Sequence, residues 1–278
     1  MSKLSIITIN LNDAAGIEKT LKSIWEKQSF RDFEHIVIDG GSKDGSVEVI
    51  KKYEKNLAYW ISEPDKGIYN AMNKGIAKAT GEYLLFINGG DWLADDVLAE
   101  VFAIPFEEDI VYGDFTYVSE DGALCPEIYK RELKYIDLLI YSIGHPASFI
   151  KRGLFSDGLY NEEFRVVSDW AFFVKQIIIN QCSFRHIDIN IAFFNTYGLS
   201  LKPETSRITV AEQKKFLSES FDHCFVGLFN SAQDRECTFG YLTRNRTKEF
   251  LDSSWMQYHT RKCIKVLFWI RRFLGIKH

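Results

Sequence analysis

Apolar runs rich in isoleucine, valine, leucine and phenylalanine recur in the first hundred residues at intervals of roughly 25, which is the rhythm of strand–helix units. Each run is continuously apolar rather than alternating, as expected for parallel strands covered by helices on both faces. The intervening segments carry apolar residues at helical spacing. The pattern predicts an open α/β sheet over residues 1 to about 100, with strands at LSIITIN (4–10), EHIVID (34–39), LAYWISE (57–63) and EYLLFIN (82–88).

The pattern changes after residue 105. DIVYGDFTYV (109–118), a turn at SEDG (119–122) and a second extended piece predict an antiparallel hairpin at the edge of the sheet. We expect one domain over residues 1–210, with halves at 1–100 and 101–210, followed by a helical extension over residues 211–278. Other predicted elements are a helix at 132–142, an extended segment at 145–152, a helix from Ser168, a strand at 183–194 and helix from Lys202 onward.

The composition narrows the class of protein. The chain has 278 residues, of which 46% are hydrophobic and 26% charged, as in soluble globular proteins. Its net charge of -4 argues against nucleic-acid binding, which needs an excess of lysine and arginine. The 5 cysteines lie far apart without metal-ligand spacing, so we expect a reducing cytoplasm rather than disulfides or structural zinc. We also expect neither a signal peptide nor a membrane-spanning segment.

Acidic and amide residues stand where the predicted parallel strands end. In an open α/β sheet, ligands bind at the carboxyl ends of the strands. Glycines follow most of these strand ends, and small residues there let a ligand approach the backbone. The sequence therefore predicts a binding site at one edge of the sheet, formed by Asn10, Asp39, Glu63 with Asp65, and Asp91.

The residue types alone leave two interpretations of these strand ends. No GxxxxGK[ST] or GxGxxG motif is present, which disfavours P-loop and Rossmann sites. DGGSKDGS (39–46) is either a nucleotide-binding turn in which Asp39 accepts from ribose or base, or a glycine turn before a capped helix. Asp91 is either a ligand of Mg²⁺ or Mn²⁺, or the cap of the helix predicted near residues 95–102.

The run SIITINLN…DGGSKDGS…SEPDKGIYNAMNKGIAKATGEYLLFINGGDWL resembles family-2 glycosyltransferases, which are inverting enzymes of GT-A fold that use nucleotide-sugar donors. The likeness is strong from residue 4 to about 95 and looser over 110–200. EPDKGIYNAMNKG in particular is typical of bacterial members that build capsule, exopolysaccharide or O-antigen. The resemblance implies that residues 1–100 bind the nucleotide sugar and that residues 101–210 bind the acceptor.

The resemblance also implies roles for particular residues. Asn88-Gly-Gly-Asp91 occupies the place of the family's metal-binding Asp-x-Asp motif, with Asp91 as its only carboxylate. Asp91 is thus the expected ligand of Mg²⁺ or Mn²⁺. Thr8 and Asn10 are expected to line the nucleotide pocket and Asp39 to read the base. The full set of expected nucleotide and donor residues is Thr8, Asn10, Asp39, Asp65, Asn73, Lys74 and Gly90.

Asp169 is the expected general base, because the family places its base in an acidic pair at the start of a helix beyond the hairpin. Here Ser168 replaces the first acid of that pair. A competing interpretation is that Asp169 only favours the helix dipole. A base must be ionised at neutral pH, so we expect Asp169 to be hydrogen-bonded rather than enclosed by apolar groups. His145 and Trp170 are candidates for the acceptor site, although a lone histidine is more often structural.

The segment RKCIKVLFWIRRFLGIKH (261–278) predicts a basic amphipathic helix too short to span a bilayer. It either lies in a membrane interface or packs as an ordinary helix.

The family resemblance implies a UDP-sugar donor by default, and a glycan or polyprenyl-diphosphate-linked acceptor. It also implies a peripheral position on the cytoplasmic face of the inner membrane. No QxxRW motif is present, so we expect one sugar per encounter.

Two other classes of function compete with this interpretation. A non-catalytic nucleotide-sugar-binding scaffold of a membrane polysaccharide assembly complex would explain the acids missing from the two motifs. A nucleotidyltransferase would need a basic glycine-rich loop after the first strand, and LNDAAG (11–16) has no basic residue.

Overall fold

The computed structural model describes residues 2–129, 133, 135–140, 142–196, 205–221 and 226. Residues Met1–Gln213 form one compact unit and Lys214–His278 a second. The basic segment 261–278 lies outside the described residues, so the sequence-based prediction for it stands as stated. Among the residues that are described, none of the helices is both long and apolar enough to cross a membrane.

Four parallel strands form the first half of the sheet, as the apolar runs predict. The strand β1 (Leu4–Asn10) is buried along its whole length, which explains why four of its seven residues are leucine or isoleucine. β2 (Phe33–Asp39) and β4 (Tyr83–Phe86) pair with β1 in parallel, and β3 (Tyr59–Ser62) pairs with β2 in parallel. Across the sheet, these strands are β3 (Tyr59–Ser62), β2 (Phe33–Asp39), β1 (Leu4–Asn10) and β4 (Tyr83–Phe86).

The second half of the sheet is mixed. β8 (Ser148–Lys151) is antiparallel to both β4 and β6 (Ile110–Val118). β9 (Phe184–Asn195) is parallel to β6, and β5 (Trp92–Leu93) is antiparallel to β9. β6 and β7 form the predicted antiparallel hairpin. The expectation of a largely parallel sheet with an antiparallel part is therefore confirmed. The strands are β5 (Trp92–Leu93), β6 (Ile110–Val118), β7 (Leu124–Glu127), β8 (Ser148–Lys151) and β9 (Phe184–Asn195).

The helices flank this sheet. The last of the described helices, α7 (Thr205–Ser220), lies within the region from Lys202 onward that the sequence predicts to be helical. The sixth continues directly into a π-helical stretch, Val174–Ile179. The helices are α1 (Ala14–Trp25), α2 (Ser46–Lys52), α3 (Ile68–Lys78), α4 (Val97–Ala103), α5 (Tyr135–Ile140), α6 (Ser168–Phe173) and α7 (Thr205–Ser220).

The prediction of an extended segment over residues 145–152 is wrong at its two ends. Only Ser148–Lys151 is a strand, and 3₁₀ helices occupy His145–Ala147 before it and Arg152–Asp157 after it. Pro146 explains the first difference, because its ring fixes φ at a value that suits the first turn of a helix. A further short 3₁₀ helix lies at Glu54–Asn56.

Helix α3 packs very close to β1. A methyl group on Gly75 would lie only 2.5 Å from Cγ2 of Ile7, which is fully buried. Glycine at this position therefore lets the helix approach the sheet. Because α3 follows β3, its first turn lies at the carboxyl end of the sheet, where the binding site is predicted.

We predict that Gly75→Ala lowers the free energy of unfolding. Overpacking against the stiff Ile7 side chain should cost about 1–3 kcal/mol, and the better helix preference of alanine restores under about 1 kcal/mol of it. Urea denaturation followed by circular dichroism measures the change. Gly153→Ala is the matched control, because a methyl group there would meet no atom of the described part of the chain within 4 Å. Equal losses in the two variants would contradict the close approach of α3 to β1.

Candidate active site

Asn10, the last residue of β1, lies between the end of β2 and the turn that follows β4. Its Nδ2 donates to Oδ1 of Asp39 at 2.9 Å, and the two residues are also partners in the register of β1 and β2. On its other side, a methyl group on Gly89 would lie 2.5 Å from Oδ1 of Asn10. The turn that leads to Asp91 therefore passes directly over Asn10. The predicted meeting of the strand ends at one edge of the sheet is what the structure has.

Asp39 is the most extensively hydrogen-bonded carboxylate at this edge. Besides Asn10, it accepts from the hydroxyl groups of Ser42 and Ser62, both at 2.6 Å, and from the backbone N–H groups of Gly41 and Ser42. Burial acts to raise the pKa of Asp39, but the hydrogen bonds from Ser42, Ser62 and Asn10 outweigh it and lower the pKa. Asp39 is therefore a fully buried and ionised side chain.

Thr8 lies below this edge, in the interior. Its Oγ1 is 2.9 Å from Nε2 of His35, and Nδ1 of the same ring accepts from the indole N–H of Trp25. Because Nδ1 is the acceptor, Nε2 carries the proton and donates to Thr8. Burial lowers the pKa of His35 to about 3, so the ring is neutral. The Thr8 side chain is thus hydrogen-bonded in the interior, where it stabilises β1.

Lys74 and Asp65 face each other at the end of β3. The ammonium group of Lys74 lies 2.6 Å from Oδ1 of Asp65 and 2.8 Å from Oε1 of Glu63. The Lys74 side chain is 27% exposed, so this charged group is accessible to a ligand.

Asn73 has a different environment from Lys74. It is buried, and its amide donates to the backbone oxygen of Tyr160 and accepts from the backbone N–H of the same residue. It also donates to Glu162. Asn73 therefore fixes the chain around Tyr160 against α3.

Asp91 occupies a tight turn. Gly90 has a φ of +95°, a left-handed conformation that favours glycine. The Asp91 side chain is only 4% exposed, and its Oδ1 accepts from the backbone N–H of Asn195 at 2.9 Å. Burial raises the pKa of Asp91 to about 7; backbone N–H groups of Asn195 and Asn88 oppose the rise, and the nearby charge of Asp13 adds to it.

The groups around Asp91 suit a hard cation. They are the carboxylates of Asp91 and Asp13, and the same turn carries Asn88, whose amide oxygen is buried and has no hydrogen-bond partner among the described residues. Within the described ranges, no group of three or more His, Cys, Asp or Glu side chains could hold a metal ion. Mg²⁺ commonly takes one or two protein carboxylates and completes its shell with phosphate oxygens and water. The residues present therefore fit Mg²⁺ or Mn²⁺ bound together with a diphosphate.

Asp169 stands in the first turn of α6 and is half-buried. Its Oδ1 lies 2.8 Å from the hydroxyl group of Tyr69 on α3. This is the kind of hydrogen bond that the sequence-based assignment requires. The same hydroxyl group lies 2.7 Å from the backbone oxygen of Val166. Tyr69 thus joins the start of α3 to the loop that precedes α6.

His145 and Trp170 are both largely enclosed. His145 stacks on Phe86, with 4.5 Å between ring centroids, and its Nε2 lies 2.7 Å from the hydroxyl group of Tyr160. Burial lowers the pKa of His145, although the charge of Asp169 opposes this. Trp170 donates its indole N–H to the backbone oxygen of Leu138. The charge of Asp169 therefore affects His145, whereas the indole N–H of Trp170 is hydrogen-bonded to the backbone of Leu138.

Sequence reasoning missed three residues of this region. Asp13 is the N-cap of α1, and its second carboxylate oxygen faces Gly90. Tyr69 lies within the motif EPDKGIYNAMNKG, which is a signal that could have identified it. Tyr160 gave no signal, because its contacts with Asn73 cross 87 residues of sequence.

Comparison with known proteins identifies the class. The fold is similar to that of GT-A glycosyltransferases: residues 1–349 of S. aureus TarS in complex with UDP superimpose with a TM-score of 0.63 at 18% identity, covering 87% of this chain and 73% of that TarS chain. A mannosyltransferase from Pyrobaculum calidifontis in complex with GDP-Man and Mn²⁺ gives a TM-score of 0.52 at 16% identity, over 90% and 85% of the two chains.

Residues 5–159 match the model of glycosyl transferase family 2. The chain therefore belongs to this family. A "PGL/p-HBAD biosynthesis glycosyltransferase" of Mycobacterium bovis is 35% identical over 208 residues, which is 70% of this chain and 77% of the relative. A "GalNAc(5)-diNAcBac-PP-undecaprenol beta-1,3-glucosyltransferase" of Campylobacter jejuni is 29% identical over 176 residues, covering 59% of this chain and 56% of that enzyme.

We predict that the free energy of unfolding of Asp91→Asn exceeds that of the wild type by an amount that grows as the pH rises. Asp91 has a pKa of about 7 when folded and an ordinary value of 3.8. Between these values the folded state holds a proton that the unfolded state has lost, so the wild type loses stability as the pH rises through this window. Asparagine keeps an oxygen acceptor for Asn195 and carries no charge.

Urea denaturation at about pH 5 and about pH 8, with a chelator present, measures this difference. Asp95→Asn is the matched control, because the Asp95 side chain is 78% exposed. A stability difference between Asp91→Asn and wild type that is the same at both pH values would contradict the raised pKa.

Proposed function

We propose that this glycosyltransferase is an inverting enzyme that moves one sugar from a nucleotide-diphosphate sugar to a hydroxyl group of a glycan or lipid-linked glycan. The observation that carries the proposal is the position of Asp169. It is a half-buried carboxylate, held by Tyr69 at the start of α3. The first turn of α3 follows the end of β3, and β3 is the neighbour of the strand that ends in Asp39. A base and a donor site would thus belong to the same edge of the sheet.

The proposed reaction is a direct displacement at the anomeric carbon. The acceptor oxygen forms a bond to that carbon while its proton passes to a carboxylate oxygen of Asp169. The bond between the anomeric carbon and the diphosphate oxygen breaks, and its electron pair leaves with the nucleotide diphosphate. Attack from the face opposite the leaving group inverts the configuration. Tyr69 keeps the carboxylate oriented during this step.

The diphosphate would lie at the turn that carries Asp91. Asp91, with Asp13 and Asn88 beside it, would hold Mg²⁺ or Mn²⁺ there. A divalent ion at this position would neutralise the charge that develops on the departing diphosphate. The complex of the structurally similar mannosyltransferase with GDP-Man and Mn²⁺ supports this proposal.

Base recognition by Asp39 would require an exchange of hydrogen bonds. The carboxylate already accepts from five donors, two of which are the rotatable hydroxyl groups of Ser42 and Ser62. Rotation of one hydroxyl would free an acceptor position for an N–H group of the base. A uridine nucleotide is the default donor, supported by the UDP and UDP-GlcNAc complexes of TarS. Asn10, Asp65 and Lys74 would line the rest of this pocket.

We place the reaction in the synthesis of a cell-surface polysaccharide or glycolipid. The names of two relatives support this proposal, since one refers to PGL/p-HBAD biosynthesis and the other to an undecaprenol-linked acceptor. Capsule, exopolysaccharide and O-antigen are the candidate products, and the cytoplasmic face of the inner membrane is the proposed location. His145 and Trp170 remain the candidates on the acceptor side.

A second candidate function is a non-catalytic scaffold that binds nucleotide sugars. The specific observation in its favour is that both acidic motifs are reduced, with Asn88 and Gly90 in one and Ser168 in the other. The hydroxyl group of Ser168 is buried and has no hydrogen-bond partner within the described residues, so it does not replace the missing carboxylate.

We predict that Asp169→Asn lowers the transfer rate by about 10²- to 10⁴-fold, the usual effect of removing a positioned base. Binding of UDP should be unchanged, because asparagine can still accept from Tyr69. The assay incubates a panel of nucleotide sugars and saccharide acceptors with Mn²⁺ and measures nucleotide diphosphate release. Nuclear magnetic resonance then gives the anomeric configuration of the product.

Asp157→Asn, a change at an exposed carboxylate, is the matched control for loss of charge. Release of nucleotide diphosphate with retained configuration would contradict the inverting mechanism. Tight UDP binding without any sugar release, in wild type and variant alike, would favour the scaffold.

A further inference from the structure

Glu212 on α7 holds the chain that leads into α6. Its Oε1 accepts from the backbone N–H of Arg165 at 2.7 Å. Its Oε2 accepts from the backbone N–H groups of Val166 at 3.0 Å and Val167 at 3.3 Å. One carboxylate on α7 therefore binds three consecutive backbone N–H groups in a segment 46 residues away from it in sequence.

This segment ends two residues before Asp169. The peptide bond between Val166 and Val167 is held from both ends, because its oxygen accepts from Tyr69 at 2.7 Å and its N–H donates to Glu212. Tyr69 also contacts Asp169 itself. Hydrogen bonds to an ionised carboxylate are shorter and stronger than those between neutral groups. Glu212 and Tyr69 thus fix the backbone and the side chain of the same short segment.

We infer that Glu212 is a positioning residue for Asp169. The inference rests on the proposed function, in which Asp169 is the base. Glu212 touches neither the sugar nor the acceptor in this scheme; it sets where the first turn of α6 begins and hence where the Asp169 carboxylate lies. A misplacement of about 1 Å in a reacting group can cost on the order of 10²-fold in rate. A contact to the backbone two residues before Asp169 is therefore close enough to affect the rate of transfer.

The sequence alone could not identify this role. Glu212 lies in a polar stretch, AEQKK (211–215), that is typical of a solvated helix face. Only the fold brings it to the segment before α6. A purely structural role for Glu212 would lower stability without a specific loss at the base, and the experiment must separate these effects.

The first measurement is hydrogen exchange of the backbone amides of residues 165–167 in wild type, Glu212→Gln and Glu212→Ala. We expect exchange to accelerate strongly in Glu212→Ala and less in Glu212→Gln, which keeps one oxygen acceptor. Glu219→Gln is the matched control, since Glu219 is an exposed acid on the same helix. Unchanged exchange in Glu212→Ala would overturn the inference, because the three contacts would then not hold this segment.

The second measurement is the kinetics of transfer. In Glu212→Ala we expect kcat to fall by about 10- to 100-fold, while KM for the donor stays unchanged and Glu212→Gln recovers part of the rate. In the Asp169→Asn background, Glu212→Ala should cause no further fall, because it acts only through Asp169. An equal fall in both backgrounds would overturn the inference. A wild-type protein that transfers no sugar would instead overturn the proposed function, so the two failures are distinguishable.

Discussion

The site depends on the contact between Asn10 and the residues on either side of it. β1 is the central strand of the parallel half, and its last residue hydrogen-bonds to Asp39 while lying under Gly89. A side chain larger than hydrogen at position 89 would collide with the Asn10 amide, so the turn to Asp91 can follow β4 only because a glycine is there. The distance between the carboxylates of Asp39 and Asp91 is therefore set by one amide and by the strand spacing of a parallel sheet.

The two buried carboxylates at this edge have opposite electrostatic environments. Asp39 receives five hydrogen bonds, which outweigh the cost of burial and lower its pKa. Asp91 receives few, lies near the charge of Asp13, and has its pKa raised. A pKa difference of one unit corresponds to about 1.4 kcal/mol of differential interaction. Asp39 is therefore stable as an anion without a bound cation, whereas ionised Asp91 gains most from a cation or a proton.

The sequence predicted the parallel strands and their common edge well, because both follow from the positions of apolar runs and from the polar residues that end them. Asn10, Asp39 and Asp91 could be assigned to one edge on this basis, and the family resemblance added Asp169. The 3₁₀ helix before β8 was missed because a single proline overrides an otherwise extended pattern. Contacts such as Tyr160 with Asn73, or Glu212 with the segment before α6, could not be predicted, since they join distant residues whose sequence neighbourhoods are ordinary.

The hydroxyl group of Tyr69 has one proton and two acceptors, the oxygen of Val166 and the carboxylate of Asp169. While Asp169 is ionised, only one of these two contacts can be a full hydrogen bond at any moment. Once Asp169 has taken up a proton, it can donate to Tyr69, and Tyr69 can give its own proton wholly to Val166. Under the proposed mechanism, the hydrogen bond between Tyr69 and Asp169 reverses its direction at the moment of transfer, so that after the reaction each of the two contacts has its own proton.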